Sequence, residues 1–146
     1  MRYGYSTGEV SRLVGMSERQ VRYLATKRLV SPSVKRPSGR GSGALYAFSD
    51  LMRLAVVHRL RATAGADLPL DRVQLALDAL AKRAGTGHTL VMDEHGCWLE
   101  RASLNSTLES AQAVMAVSLD AVENHLRLQL NRAGLDAFEP NLAKVA

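Results

Sequence analysis

Within the nine residues from Arg19 to Lys27 fall two arginines, a tyrosine and a lysine, the side chains best suited to a polyanion. Cationic groups release counterions from nucleic acid, an Arg can read a guanine edge through two hydrogen bonds, and a Tyr hydroxyl can reach a phosphate oxygen. With Glu18, Thr26 and Arg28, these residues form the side of a helix left over when Val21, Leu24 and Ala25 turn inward. The plainer alternative is a solvated charged face on an ordinary helical hairpin.

The elements that must position this face are written nearby. Ser6-Thr7-Gly8-Glu9 is a capping-box pattern, and Ser17-Glu18-Arg19-Gln20 repeats it. Val10, Leu13 and Val14 give the first helix an apolar stripe, and Gly15-Met16 breaks it before the second begins. Two such helices joined by a glycine turn predict a helix-turn-helix. Pro32 stops the second helix. Residues 33–36 and 44–48 then read as two short strands around a glycine-rich tip that carries Arg40, with Lys35 and Arg36 at its base. A basic loop beside a helix-turn-helix can reach the adjacent minor groove or backbone. Gly39, Gly41 and Gly43 also suggest a phosphate cradle, but the loop leads into a strand rather than a helix N-terminus and no Gly-Lys-Ser/Thr follows.

At 146 residues and 47% hydrophobic, the chain can bury one sizeable core and a small second one. Residues 1–63 hold 12 Lys and Arg against 3 Asp and Glu, or +9, while residues 64–146 hold 7 against 11, or −4. That asymmetry predicts a nucleic-acid face in the first part and a separate task for the second. No apolar run reaches membrane-spanning length and the polar start lacks a signal-peptide core, so a soluble, cytoplasmic protein is expected. Cys97 is the only cysteine, which excludes an intrachain disulfide and a zinc knuckle.

Downstream, Ser49 is placed to cap a helix with Asp50 in its first turn and Leu51, Leu54, Val57 and Leu60 on its apolar side. A further helix is predicted from Leu70 to about Arg83, with Leu70, Val73, Leu77 and Leu80 inward. The two are expected to close the core under the helix-turn-helix.

This order of elements, with Tyr5, Gly8, Glu9, Arg22-Tyr23, Leu29, Ser31-Pro32, Tyr46, Ser49, Asp50-Leu51 and Leu54 in place, resembles the N-terminal domain of MerR-type transcription regulators over residues 5 to about 82. The resemblance implies a mainly α fold with a β-hairpin wing, a winged helix-turn-helix over 1–84. It further implies that the second helix enters the major groove and that Arg22 and Tyr23 contact DNA. The candidate DNA-binding set is Ser17, Arg19, Gln20, Arg22, Tyr23, Lys27, Lys35, Arg36, Arg40 and Tyr46. The implied protein is a homodimer on a palindromic promoter site that, in activators, distorts double-stranded DNA so that RNA polymerase can engage. Leu24 stands where the family usually has a second aromatic, and Ala44 where its wing usually carries an Arg, with Arg40 the candidate replacement.

The family's usual long dimerisation helix is the larger departure. Residues 88–101 instead read as a hairpin turning at Asp93 to Gly96, opening a small α+β or helical region over 88–134, expected to dimerise and a candidate effector region, with 135–146 a loosely held tail. Residues 104–130 fit one long helix, or a buried strand at 113–119 that joins the hairpin followed by a helix at 120–132. Val114 and Val117 and the hairpin's need for a partner favour the strand. His95 and Cys97, two residues apart at the hairpin turn, could contribute to a metal site with His88, but without a second Cys or a clear fourth ligand nearby they are read as a turn His and a small apolar Cys. Trp98 is read as a half-buried aromatic in preference to a pocket wall. Asp93, Glu94 and Glu100 are read as solvated carboxylates, and His58 and His125 as bordering the core. No metal, cofactor or catalytic residue is expected. Two other functions use the same sequence features: an excisionase-like or architectural DNA-bending protein, and an antitoxin-like adaptor that masks a protein partner.

Overall fold

The computed structural model describes residues 4–38, 43–65, 67–101 and 114–140. Over these it forms helices α1 (Thr7–Val14), α2 (Glu18–Thr26), α3 (Phe48–Ala64), α4 (Leu70–Leu80) and α5 (Leu119–Arg132), and strands β1 (Thr89–Met92), β2 (Cys97–Glu100) and β3 (Met115–Ser118). They sort into two units, one of residues up to Ala55 together with those from His125 on, the other Val56–Asn124. None of the helices is long and apolar enough to cross a membrane.

In the first unit Val10, Leu13 and Val14 of α1 and Val21 and Leu24 of α2 are buried, as their spacing predicts. Tyr5 and Tyr46, both essentially inaccessible, exchange backbone hydrogen bonds of 2.9 and 2.8 Å across an isolated bridge. Burial of each such large side chain stabilises by about 1.5–3 kcal/mol. Gly4 makes this close approach possible: at φ +147° it favours glycine, and a Cβ there would stand 3.0 Å from the Tyr46 carbonyl oxygen.

The expected strands at 33–36 and 44–48 are not formed as strands. The described residues show one bridge, Lys35 to Leu45, and Phe48 already belongs to α3. The N–H groups of Ser33 and Ala47, at the outer ends of the two segments, are claimed by the Asp50 carboxylate, and Pro32 and Pro37 bring no N–H at all. Toward Ser33 and Ala47 a ladder therefore has no free donor with which to extend.

Ser49 is not the cap of α3. The helix starts one residue earlier, and Asp50 reaches back to the Ala47 N–H at 2.9 Å. Other free N–H groups of this helix start are met by the chain's far end. Phe48 N–H donates to the Phe138 carbonyl at 2.6 Å, and the N–H and hydroxyl of Ser49 donate to the Glu139 carboxylate at 2.8 Å each. The Tyr5 hydroxyl donates to the Asp136 carbonyl and accepts from Phe138 N–H. Residues 135–140, expected to be loose, are therefore tied to the first unit, beside the buried Leu126 and Leu130 of α5.

The second unit is built on an antiparallel sheet in the order β2-β1-β3. Met92 pairs with Cys97 on one side and Met115 on the other, and Thr89 pairs with Glu100 and Ser118. Successive residues Leu90, Val91 and Met92 are buried, so the central strand is covered on both faces. The hairpin turns where expected, fixed by the Asp93 carboxylate, which accepts from the N–H groups of His95 (2.8 Å) and Gly96 (2.9 Å). The single long helix is overturned for the described part of 104–132: residues 115–118 are strand, and α5 starts at Leu119. Half-buried and exposed positions alternate along β3, so it joins the hairpin as expected but is only partly buried. Helix α4 packs on β1 and β2 through its buried face, Val73, Ala76, Leu77 and Leu80. Arg83 follows it and pairs with Asp120 at 3.3 Å and Glu123 at 3.0 Å at the start of α5.

Candidate nucleic-acid interface

Helix α2 is fixed at both ends by local chemistry. At its start the Ser17 hydroxyl accepts from Gln20 N–H at 3.1 Å and the Gln20 side-chain Oε1 accepts from Ser17 N–H at 3.0 Å, the reciprocal capping box. Ser6 and Glu9 do the same for α1, at 3.2 and 3.0 Å. Between the helices Gly15 adopts φ 89° and the Ser11 hydroxyl donates to the Met16 carbonyl at 2.5 Å, holding the turn closed. At the far end of α2 Leu29 N–H donates to the Leu24 carbonyl and Arg28 N–H to the Ala25 carbonyl, both at 3.0 Å. This is a Schellman closure, with Arg28 in the left-handed position at φ 58°, where glycine is the usual occupant.

Between these ends α2 buries Val21 and Leu24 and presents Arg19, Arg22, Tyr23, Thr26 and Lys27 to solvent. The Arg22 guanidinium lies 3.2 Å from Glu18 one turn back, with both side chains at least half exposed (65% and 50%). Such a pair contributes little to stability and opens readily to another anion. The Lys27 ammonium sits 5.7 Å from the centre of the Tyr23 ring, a cation–π contact that keeps both on one side of the helix. Ser17 and Gln20 are exposed as well, but their side chains are already engaged in the cap.

Lys35 and Arg36 are exposed on the segment that follows. Arg40 lies outside the described residues. Tyr46 differs from the rest of the expected set in being only 1% exposed. Burial, aided by the negative charge of Asp50 and opposed by Arg22, pushes its phenol above the ordinary value, so it is protonated at neutral pH. A groove of about 370 Å³ runs between α2 and this segment, lined among others by Thr7, Arg22, Thr26, Pro37, Ala44 and Tyr46.

The residue that organises this arrangement is Asp50, which sequence reasoning credited only with a helix-dipole role. Fully buried, it accepts from Ser33 N–H (3.0 Å), the Ser33 hydroxyl (2.5 Å), Ala47 N–H (2.9 Å) and Arg53 (3.1 Å), and so joins the exit of α2 to the start of α3. Its place three residues after Ala47 was the available local signal; Ser33, 17 residues away, was not foreseeable from spacing. Among the described residues no three His, Cys, Asp or Glu side chains come together to hold a metal ion. His95 is exposed and lies 3.3 Å from Glu94.

A capped helix pair with a tight left-handed glycine turn and a cationic outer face on the second helix defines a helix-turn-helix protein. Residues 5–80 match the model of the MerR HTH family of regulatory proteins, and the chain belongs to that family. Relatives described as uncharacterized HTH-type transcriptional regulators, from Mycobacterium bovis and from two strains of Mycobacterium tuberculosis, are 35% identical over 80 residues. That stretch is 55% of this chain but spans only about a third (34%) of the length of those relatives.

Proposed function

We propose that the chain is a sequence-specific transcription regulator that acts as a homodimer on a palindromic promoter site. In this reading α2 lies in the major groove of double-stranded DNA. Arg22 and Arg19 face base edges or phosphates, Tyr23 and Lys27 meet the backbone, and Lys35 and Arg36 approach from the following segment, with Arg40 at its tip. Distortion of the bound DNA for RNA polymerase belongs to the same reading, which involves no catalytic step and no cofactor. The observation that carries it is the solvent face of α2: Arg19, Arg22, Tyr23 and Lys27 project from a helix whose two ends are fixed by a capping box and a Schellman closure.

The test is footprinting and quantitative binding on DNA upstream of the chain's own gene at two salt concentrations. A protected inverted repeat that survives near-physiological salt is the expected result. Arg22→Ala should weaken specific binding by on the order of 1–3 kcal/mol and relax preference at one position. Lys27→Gln should weaken all sequences alike and lower the salt slope by about one. Diffuse protection lost as salt rises, or unchanged affinity in Arg22→Ala, refutes the reading.

A further inference from the structure

The second unit contains a cavity of about 380 Å³ that takes no part in the α2 face. Its walls include Ala79 and Lys82 at the end of α4, His88 ahead of β1, Cys97 and Trp98 of β2, and Arg101 just beyond. This volume is at the small end of the range for organic ligands.

Charge is the first clue to its occupant. Residues 56–124 hold 6 Lys and Arg against 9 Asp and Glu, or −3, yet the charged side chains lining the cavity are both cations. Among the described residues neither Lys82 nor Arg101 makes an ion pair, whereas nearby Arg83 is held by Asp120 and Glu123. Shape is the second clue. The indole N–H of Trp98 donates to Glu100 at 3.0 Å, which fixes the ring, and Trp98 is only half-buried, leaving part of its surface to the cavity. The third clue is His88, whose Nδ1 is shielded from solvent and has no hydrogen-bond partner among the described residues, an unusual state for a buried polar atom. Cys97 adds a neutral wall, because burial pushes its thiol up to about 11 and keeps it protonated.

We infer that this cavity is a binding site for a small aromatic carboxylate, its ring laid against Trp98 and its anionic group between Lys82 and Arg101. The cations supply the charge-assisted hydrogen bonds and the indole and Ala79 the apolar contact. This assignment is independent of the DNA-binding reading.

Trp98 is the chain's only tryptophan, so its fluorescence in the intact protein reports on the site directly. Benzoate, salicylate and indole-3-acetate are the probes, with benzyl alcohol as the uncharged comparison. At least one carboxylate should change the emission saturably with a midpoint below about 1 mM, and benzyl alcohol should bind about tenfold more weakly or worse. Lys82→Gln and Arg101→Gln, both at exposed positions, should each weaken the carboxylate by about tenfold while leaving the circular dichroism spectrum unchanged. The proposal is overturned if none of the three carboxylates saturates by about 10 mM. It is equally overturned if benzyl alcohol matches the carboxylate, a comparison that needs no variant, or if the folded double variant binds as tightly as the parent.

Discussion

Replacing Asp50 by alanine tests how the first unit holds α2 beside the segment that follows it. The carboxylate is fully buried and accepts four hydrogen bonds, three of them at Oδ2. Their losses are unequal. Ala47 is itself inaccessible, so its N–H is left unpaired away from water and costs about 1–3 kcal/mol. Ser33 is exposed, so its N–H and hydroxyl recover water and lose only the net value of a charge-assisted bond, on the order of 1 kcal/mol together. Arg53 is 40% exposed and returns to solvent at little cost. Relief of the carboxylate's own desolvation offsets part of the loss. The expected destabilisation is therefore about 1–3 kcal/mol, a sizeable share of the roughly 5–15 kcal/mol of a typical domain. Asp50→Asn keeps one acceptor and should lose about half as much, and Arg53→Ala less than about 1 kcal/mol. Urea denaturation of the three variants, read from midpoints at constant slope, gives the answer. A loss below about 1 kcal/mol in Asp50→Ala, or an equal loss in Arg53→Ala, would mean that Asp50 does not organise the junction.

Three further outcomes follow from the geometry. Arg28→Gly should raise stability by about 0.5–1 kcal/mol, since the left-handed φ of 58° strains a residue with a Cβ and the Schellman bonds use only its backbone. A lower urea midpoint would show that the Arg28 side chain stabilises the native state by more than the strain costs. Cys97, with its thiol pushed up to about 11 mainly by burial, should react with iodoacetamide in the native state on the order of a hundredfold more slowly than a free cysteine at about pH 8. An ordinary rate in a chain that stays folded would count against the burial. The backbone N–H of His95 holds the Asp93 carboxyl below the ordinary aspartate range against the opposing effect of burial, aided by Gly96 N–H, by His95 and by Arg72. Because the folded chain then binds this proton less readily than the unfolded one, the stabilisation is present at neutral pH and is lost as pH falls through the folded value. The melting-temperature gap between the parent and Asp93→Asn should accordingly narrow as pH falls from about 5 through the folded value, and a gap that stays constant on acidification refutes the assignment.

What could be read from the sequence was what depends on neighbours within a turn or two. The starts of α1 and α2, the glycine between them and their buried stripes follow from residues three or four apart, and the hairpin turn at Asp93 uses bonds two and three residues long. What escaped was set at long range. The strands expected at 33–36 and 44–48 had suitable residues, but Asp50 removes their outermost donors from a distance no periodicity encodes. Residues 135–140 look loose because their partners, Tyr5, Phe48 and Ser49, lie 90 to 133 residues away in the chain. Tyr46 has the type of a backbone-contacting residue, and only its pairing with Tyr5 shows that it is buried.

The same division runs through the candidate interface. The α2 backbone is constrained by bonds at both ends, but the side chains on its outer face are not: Arg22 is held only by an exposed pair with Glu18, and Tyr23 is 42% exposed against a solvated Lys27. An exposed pair of this kind is worth well under 1 kcal/mol, less than the ~1–3 kcal/mol of a bidentate contact to a base edge. In the proposed complex Arg22 would therefore exchange Glu18 for DNA at a net gain, and Glu18, facing the phosphates, would penalise contacts that use charge alone. On this view the fixed helix sets where the side chains can reach, and the weak Glu18–Arg22 pair shifts the balance from non-specific toward specific binding.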